Sequence, residues 1–444
     1  MNKTLPETLS KLFCWMQTMR MEQGYWGPVV HYWQDCLHFL GPSPDWKYEG
    51  LIDAFLTIYK KTKQEEFLHQ AILCGNDLLR LQGKNSCFFN SHFENNPSLY
   101  DGSTPHESSV CIGLLTLAKK LREDGLEWKP YFNAAQKNIE QYHFRVLYDS
   151  DKKTFLQYRH DPKPCHVPNK IATIVEMLYL YYDFTQEKYL LSVIQRSINY
   201  IISHQDPASG GIYQTESKKH LITFYIARCI PALILHYERT KDQQALDCAL
   251  FARKFILSMR LKQGGFRFGY LLENSSWTLY TYPIFIAGAA DILRALFLLR
   301  TYAPFSFTDL HWLLGQQHRS GAFPTSLGMN YKNTTLHSPV RSSWRDVLPV
   351  IGWNDKVLRL CALLLKEGET LDQTHFSKFN ITCTDGIYHE DVHSIRIAGK
   401  EPYFFPKRKT FAHGFFYRSF LLWIARNLPL YPRLIRRIFR FLLR

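Results

Sequence analysis

The stretch Gln205-Asp206-Pro207-Ala208-Ser209-Gly210-Gly211-Ile212-Tyr213 closes one amphipathic helical segment, and a more apolar one follows it up to about residue 240. The same grammar recurs along the chain. Gln23 precedes Gly24-Tyr25-Trp26, Gln82 precedes Gly83, Gln263 precedes Gly264-Gly265-Phe266, and Gln317 precedes Gly321-Ala322-Phe323. A helix ending at a glutamine, a glycine-bearing loop and then an apolar helix form a unit, and a unit repeated at a spacing of tens of residues signals a repeat architecture. One register, near 147 to 158, is degenerate.

Outward from these loops, apolar helices are expected to start near Trp46, Thr104, Pro168, Lys219, Trp277 and Arg341. Between them lie amphipathic helices, reached through polar turns that resemble one another: Thr62-Lys63-Gln64, Thr185-Gln186-Glu187 and Thr240-Lys241-Asp242. Segments apolar nearly all round, such as 171–182 and 283–299, belong inside, and the Lys/Glu/Gln-studded 186–204 belongs outside. Six inner and six outer helices make an all-α fold, an (α/α)6 toroid of six helical hairpins with short turns on one face and long loops on the other. An open solenoid is the alternative.

The loop motif, glutamine then glycine and an aromatic, resembles the repeats of terpenoid-cyclase and prenyltransferase toroids. The hairpin ring with long loops at one mouth resembles the six-hairpin glycosidases and sugar epimerases. The resemblance covers roughly residues 5 to 370 in organisation and implies a shape, with a site at the mouth, rather than one reaction.

No Pro/Gly/Ser-rich linker breaks the pattern before about 370 in the 444 residues, so residues 1–370 read as one domain. A hydrophobic content of 46% and an aromatic content of 15% suit a ring whose centre must be filled or lined by large side chains. The ten cysteines include no Cys-x-x-Cys pair, so reduced thiols and a cytoplasmic setting are expected. Residues 371–406, with Ile381, Ile387, Tyr388, Ile395 and Ile397 at partly alternating spacing, read as an irregular or β cover segment. Residues 407–444 carry ten Lys/Arg and no Asp/Glu, which is ten of the formal net charge of +15. Interleaved Phe, Trp, Leu and Ile make this tail a basic amphipathic helix suited to an anionic membrane surface, and the inner face of a membrane is the expected location. No nucleic-acid module accompanies the charge.

Side chains at the starts of the inner helices and in the long loops should converge on the ring's axis. The proton-transfer candidates there are Asp101, Glu107 and Asp346, since glycoside chemistry needs carboxylates of differing protonation on either side of a bond. The binding candidates are Trp26, His31, Trp33, Glu49, His106, His220, Tyr225, Arg228, Tyr282 and Trp344. Aromatic faces stack on sugars, and Arg228, among apolar neighbours, calls either for a buried carboxylate partner or for an anionic ligand. Glu107 also stands where a helix-start carboxylate would.

Absences narrow the chemistry. No Asp-x-Asp-Asp tetrad, Asp-Asp-x-x-Asp motif, phosphate-cradling Gly-rich loop or dinucleotide fingerprint occurs. His389-Glu390-Asp391-Val392-His393 fits a zinc-peptidase pattern formally, but Asp385-Gly386 before it and Ile395 and Ile397 after it argue against the helix that pattern needs. No metal and no cofactor is expected. What stands is a carbohydrate-active enzyme of hydrolase, epimerase or lyase type, with an anionic or lipid-linked glycan among the substrates in view. The alternatives are an isoprenoid-processing toroid and a non-catalytic glycan- or peptide-binding ring.

Overall fold

The computed structural model describes residues 4–18, 20–21, 24–25, 29–31, 36–38, 44–88, 105–158, 165–318, 320–328, 349–371 and the short strands at 382–384, 387–389, 394–396 and 402–404. The inner helices are α2 (Trp46–Thr62), α4 (His106–Glu123), α6 (Pro168–Thr185), α8 (Thr223–Thr240), α10 (Ala289–Leu298) and α12 (Ile351–Leu364). Their outer partners are α3 (Glu65–Leu81), α5 (Lys129–Asn138), α7 (Tyr189–Ser203), α9 (Gln243–Ser258) and α11 (Thr308–Gly315), while α1 (Leu5–Thr18) backs α12. Packing runs α2 to α4, α6, α8, α10 and α12, and α12 returns to α2, so the ring is closed. The fold is an (α/α)6 toroid, and the open solenoid is excluded.

Local chemistry explains the repetition. In each of the three look-alike turns the residue after the threonine is left-handed, with φ of 60° at Lys63, 58° at Gln186 and 62° at Lys241. Its N–H bonds the carbonyl of a tyrosine four residues back: Lys63 to Tyr59, Gln186 to Tyr182 and Lys241 to Tyr237, at 2.8 to 2.9 Å. The threonine hydroxyl donates to the carbonyl four residues behind it and accepts the N–H two residues ahead, so the orphaned carbonyls of the helix end are satisfied.

The glutamines work at the other face. Gln82 Nε2 donates to Ser86 O in its own loop and to Ala134 O on α5. Gln205 Nε2 donates to Gly210 O and to Cys248 O on α9, and Gln317 Nε2 to Gly321 O and Thr8 O on α1. Each side-chain amide thus ties a loop to the next outer helix, and the last of these ties closes the ring. One register needs correction. Gln263 is exposed, and the equivalent place is held by Arg260, which bridges to Phe266 as Gln82 does to Phe88 and pairs with Asp309 of α11 at 2.5 Å. Gln17, at the end of α1, meets Gln70 of α3 at 3.4 Å, whereas Gln23 lies outside the described residues.

Three helix starts also shift. Residues 276–280, where an inner helix was expected from Trp277, form a strand paired with Gly269–Glu273, which pairs in turn with Leu221–Ile222. The two-residue connection Asn274-Ser275 has positive φ at both positions, the backbone a tight hairpin requires. The fourth inner helix therefore begins at Thr223 rather than Lys219, the fifth at Ala289, and the sixth is described from Ile351 rather than Arg341. The degenerate register is a π-helical turn, Ile139–Leu147, followed by a small hairpin of Tyr148–Asp149 with Thr154–Phe155. Strands Thr382–Thr384 with Ile387–His389, and Ser394–Arg396 with Pro402–Phe404, fall where the β segment was expected. The tail from 407 lies outside the described residues. Among the described residues no helix is long and apolar enough to cross a membrane.

Candidate functional site

Alternation of inner and outer helices points the N-termini of all six inner helices at the long-loop face. Aromatic side chains from the first turns of α2, α4, α8 and α12, with Phe285 from the strand before α10, meet there in a collar. Trp46 stacks on His106 with centroids 4.7 Å apart and lies 6.3 Å from Trp353. Trp353 stacks on Phe285 at 5.3 Å, and Phe224 lies 4.8 Å from Phe285, 6.0 Å from Trp353 and 4.4 Å from Tyr225. The Trp46 indole N–H donates to Gly352 O at 2.5 Å, which fixes that ring at the seam between α2 and α12.

Below the collar, one to two helical turns down, lies a floor of charge. Arg228 donates to Glu176, and its Nη2 to the two Glu49 oxygens at 3.1 and 3.4 Å. Arg359 Nη1 donates to Glu49 Oε1 at 2.6 Å and its Nε to Asp53. These residues come from α2, α6, α8 and α12, so the network spans the ring. Such a network is weak as a source of stability, because desolvation offsets most of the attraction. The Arg228 and Asp53 side chains, both on inner helices, keep 16% and 32% of their surface open.

The electrostatics follow from this packing. Burial raises the Glu49 carboxyl, but the Arg228 and Arg359 guanidiniums, with Lys356, outweigh it and hold the group well below the usual carboxylate range. Asp355, fully buried between α12 and α2, goes the other way. Burial pushes it up to about 8 despite the Lys356 ammonium 2.5 Å from Oδ2, and its Oδ1 has no partner among the described residues. A Cβ on Gly50 would lie 2.2 Å from Asp355 Oδ2, so a larger residue there would have to displace the Asp355 carboxylate.

The expected site residues separate into groups. Glu49, His106, Tyr225 and Arg228 meet at the collar and floor. Glu107 is fully buried and accepts from Phe88 N–H at 3.1 and 3.2 Å and from Asn138 Nδ2 at 2.6 Å. It fastens the loop behind α3 to α4 and α5, a framework role that leaves its carboxylate no free approach. His220 Nδ1 accepts Leu272 N–H at 3.1 Å and so belongs to the sheet, and Tyr282 packs in a separate apolar cluster with Leu261 and Ile284. Asp101, Asp346, Trp26, Trp33 and Trp344 lie outside the described residues, as do the side chain of His31 and most of the segment 389–393. Among the described residues no group of three or more His, Cys, Asp and Glu could hold a metal.

Trp353 was in view as an aromatic wall for a sugar face, but Asp53, Glu176, Asp291, Arg294 and Arg359 were passed over as site residues. The available signal was charge inside apolar helices. Asp291 and Arg294 sit at i and i+3 in the most apolar segment of the chain, where nothing but an axis-facing role suits two charges.

No protein-family model matches the sequence, and no curated protein is similar to it at sequence level. Solved structures do share its shape. A D-mannose isomerase superposes with a TM-score of 0.54 at 15% identity, over 80% of this chain and 96% of its own. An unsaturated glucuronyl hydrolase specific for heparin gives 0.57 at 12% identity, over 82% and 99%. A cellobiose 2-epimerase from Bacillus thermoamylovorans gives 0.57 at 13% identity, over 82% and 100%. At these identities the likeness is one of fold: this chain is built as the six-hairpin toroids of glycosidases and sugar epimerases are.

Proposed function

We propose that the protein is a carbohydrate-active enzyme of hydrolase, epimerase or lyase type, with the sugar bound on the toroid axis between the aromatic collar and the charged floor. One observation carries the reading: half-buried aromatic side chains, Trp46, Phe224, Tyr225 and Trp353, gathered at one level of the inner helices and, just beneath, charged side chains from five of those six helices. Aromatic faces and a dense set of hydrogen-bonding charges are what a sugar ring, apolar on its faces and polar at its edge, requires. The floor contributes little to stability that apolar packing could not.

The chemistry of this class is proton transfer at carbon or oxygen by positioned carboxylates. Asp53 and Glu176 are ion-paired to arginines and serve to orient. Asp291, in the first turn of α10, makes no side-chain hydrogen bond or ion pair among the described residues and is the described carboxylate best placed to exchange a proton. Asp101 and Asp346, which precede α4 and α12 in the chain, are the proposed partners from the loops. The test is a panel of mono- and oligosaccharides, neutral and acidic, assayed for turnover and for binding with the full chain and with Asp291→Asn, Asp101→Asn, Asp346→Asn and Trp353→Ala. The reading requires that Trp353→Ala weaken sugar binding and that at least one Asp→Asn variant lose turnover while binding is kept. Sugar binding without turnover would identify a glycan-binding module, and no binding by any sugar would end the carbohydrate reading.

A further inference from the structure

Arg294 sits in the second turn of α10 and faces the axis, where the charges that act on it come from four other inner helices: Arg359, Glu176, Asp53 and Arg228. Among the described residues it makes no hydrogen bond and no ion pair, although it is more than half buried. Its neighbours are spoken for. Arg228 holds Glu176 and Glu49, and Arg359 holds Glu49 and Asp53, so the carboxylates nearest to Arg294 already serve other guanidiniums. Asp291, the i−3 neighbour that would be the obvious intrahelical partner, does not pair with it either.

A guanidinium cannot shed its proton to escape this position, so a largely buried and unpaired one carries an uncompensated desolvation cost unless something binds it. Leucine or methionine would complete the apolar α10, whose Leu293 and Ala295 are fully buried, more cheaply. Burial, with Arg359 next in weight, pulls the Arg294 guanidinium below its ordinary pKa, the direction expected of a cation awaiting a counter-charge.

We propose that the axial site takes a sugar bearing an anionic substituent, a carboxylate or a phosphate, and that Arg294 receives that substituent at the floor. The inference rests on the axis being the sugar site and adds the class of sugar. Planar bidentate donation suits both oxyanions, and Arg228 and Arg359 on either side add positive potential. Asp291 stands nearer the mouth, level with the uncharged part of such a ligand, where a carboxylate meets hydroxyls or a reacting C–H rather than the anion.

The experiment is titration of the full chain with glucose, glucuronate, glucose 6-phosphate and inorganic phosphate, by calorimetry and by thermal shift, for the wild type, Arg294→Met and Arg294→Gln. In the wild type one of the acidic sugars should bind at least about tenfold more tightly than glucose. Which of the two does so distinguishes a uronate from a phosphate. Arg294→Met and Arg294→Gln should lose that preference while glucose affinity changes by less than about twofold, and inorganic phosphate should raise the Tm of the wild type but not of the variants. Without ligand, Arg294→Met should melt at or above the wild-type temperature, because an uncompensated charge has gone. Equal binding of charged and neutral sugars, or a preference that survives both substitutions, overturns the proposal. A lower Tm of ligand-free Arg294→Met also overturns it, since the arginine would then be structural. If no sugar binds at all the carbohydrate reading fails. The phosphate arm then decides the anion site alone: an Arg294-dependent shift keeps it and no shift removes it.

Discussion

Glu49 is the carboxylate on which the floor turns, and replacing it by glutamine gives a quantitative test of how that floor is held. The residue is 3% exposed and takes hydrogen bonds from Arg228 of α8 and Arg359 of α12, two cations that it holds side by side. Glu49→Gln keeps the shape and removes the charge. Removing one partner of a buried ion pair costs about 3–5 kcal/mol, and since Arg228 keeps Glu176 and Arg359 keeps Asp53, the lower end, about 3 kcal/mol, is expected. With a melting entropy of roughly 0.9 kcal/mol/K for a chain of this length, that is a fall in Tm of about 3 °C. The pH dependence fixes the cause. The Glu49 carboxyl is depressed in the folded state below its ordinary 4.5, so the folded state binds fewer protons than the unfolded one as the pH falls through that range. The contribution is therefore complete above pH 4.5 and is lost below it, by up to about 1.4 kcal/mol per pH unit. Calorimetric or urea unfolding of both proteins at pH 7, 5 and 3.5 should show a constant deficit for the variant at the first two and a smaller one at the third. A variant as stable as the wild type at pH 7 would refute the bridging role, and a deficit that persists unchanged at pH 3.5 would show that packing, not charge, was lost.

Asp355 should show the opposite sign. Its carboxyl is raised to about 8, so the folded state holds a proton that the unfolded state releases above 3.8, and stability drains as pH rises through that window. Asp355→Asn should gain on the wild type steadily from pH 5 to pH 8.5 in urea titrations, and a difference independent of pH would contradict the burial argument. Ring closure is tested at Gly321, where φ is +95° and an added Cβ would lie 2.1 Å from the Lys11 carbonyl of α1. Gly321→Ala should cost more than about 3 kcal/mol, well beyond the usual penalty of an alanine at positive φ, and a loss under about 1 kcal/mol would mean that α1 is not tightly seated. For the basic tail, each Lys or Arg near an anionic surface contributes about 1 kcal/mol, so co-sedimentation with anionic vesicles should be strong at low salt and weak at high salt for the full chain. A chain ending at Pro406 should remain in the supernatant, and equal pelleting of the two would dismiss the tail as a membrane anchor.

The ring was legible in the sequence because its signals are local. A threonine, a left-handed residue and a helix-starting polar residue make the same turn wherever they occur, and a loop glutamine has the reach to tie two backbones together. The count of six hairpins followed from those marks. The fifth inner helix was misplaced because Trp277, Leu279 and Tyr280 carry apolar character that fits a strand as well as a helix, and the positive φ at Asn274 and Ser275 that decides for the strand is not an apolar signal. The glutamine at 263 misled because three residues separate it from Arg260, which occupies the equivalent place with a different side chain and reaches Asp309 instead of a backbone carbonyl.

The site was less legible. Glu107 has the residue type and position of a mouth carboxylate, yet whether such a group is free or bonded to Phe88 N–H and Asn138 depends on how two distant segments meet. Arg228 was visible as a charge in an apolar helix, but its partners, Glu49 and Glu176, lie 179 and 52 residues away. The same rule applied to the fifth helix would have found Asp291 and Arg294, since a charge that an apolar face cannot tolerate must face either a partner or a cavity.

The central claim is that the axis of this ring is where a sugar binds, and a crystal structure of the protein soaked with a glucuronate-terminated oligosaccharide tests it most directly. The account predicts a sugar ring on the axis within van der Waals distance of Trp46 and Trp353, with its carboxylate in hydrogen-bonding range of Arg294. Density for the sugar on any other surface, with the axis between those two tryptophans left closed to it, would contradict the account.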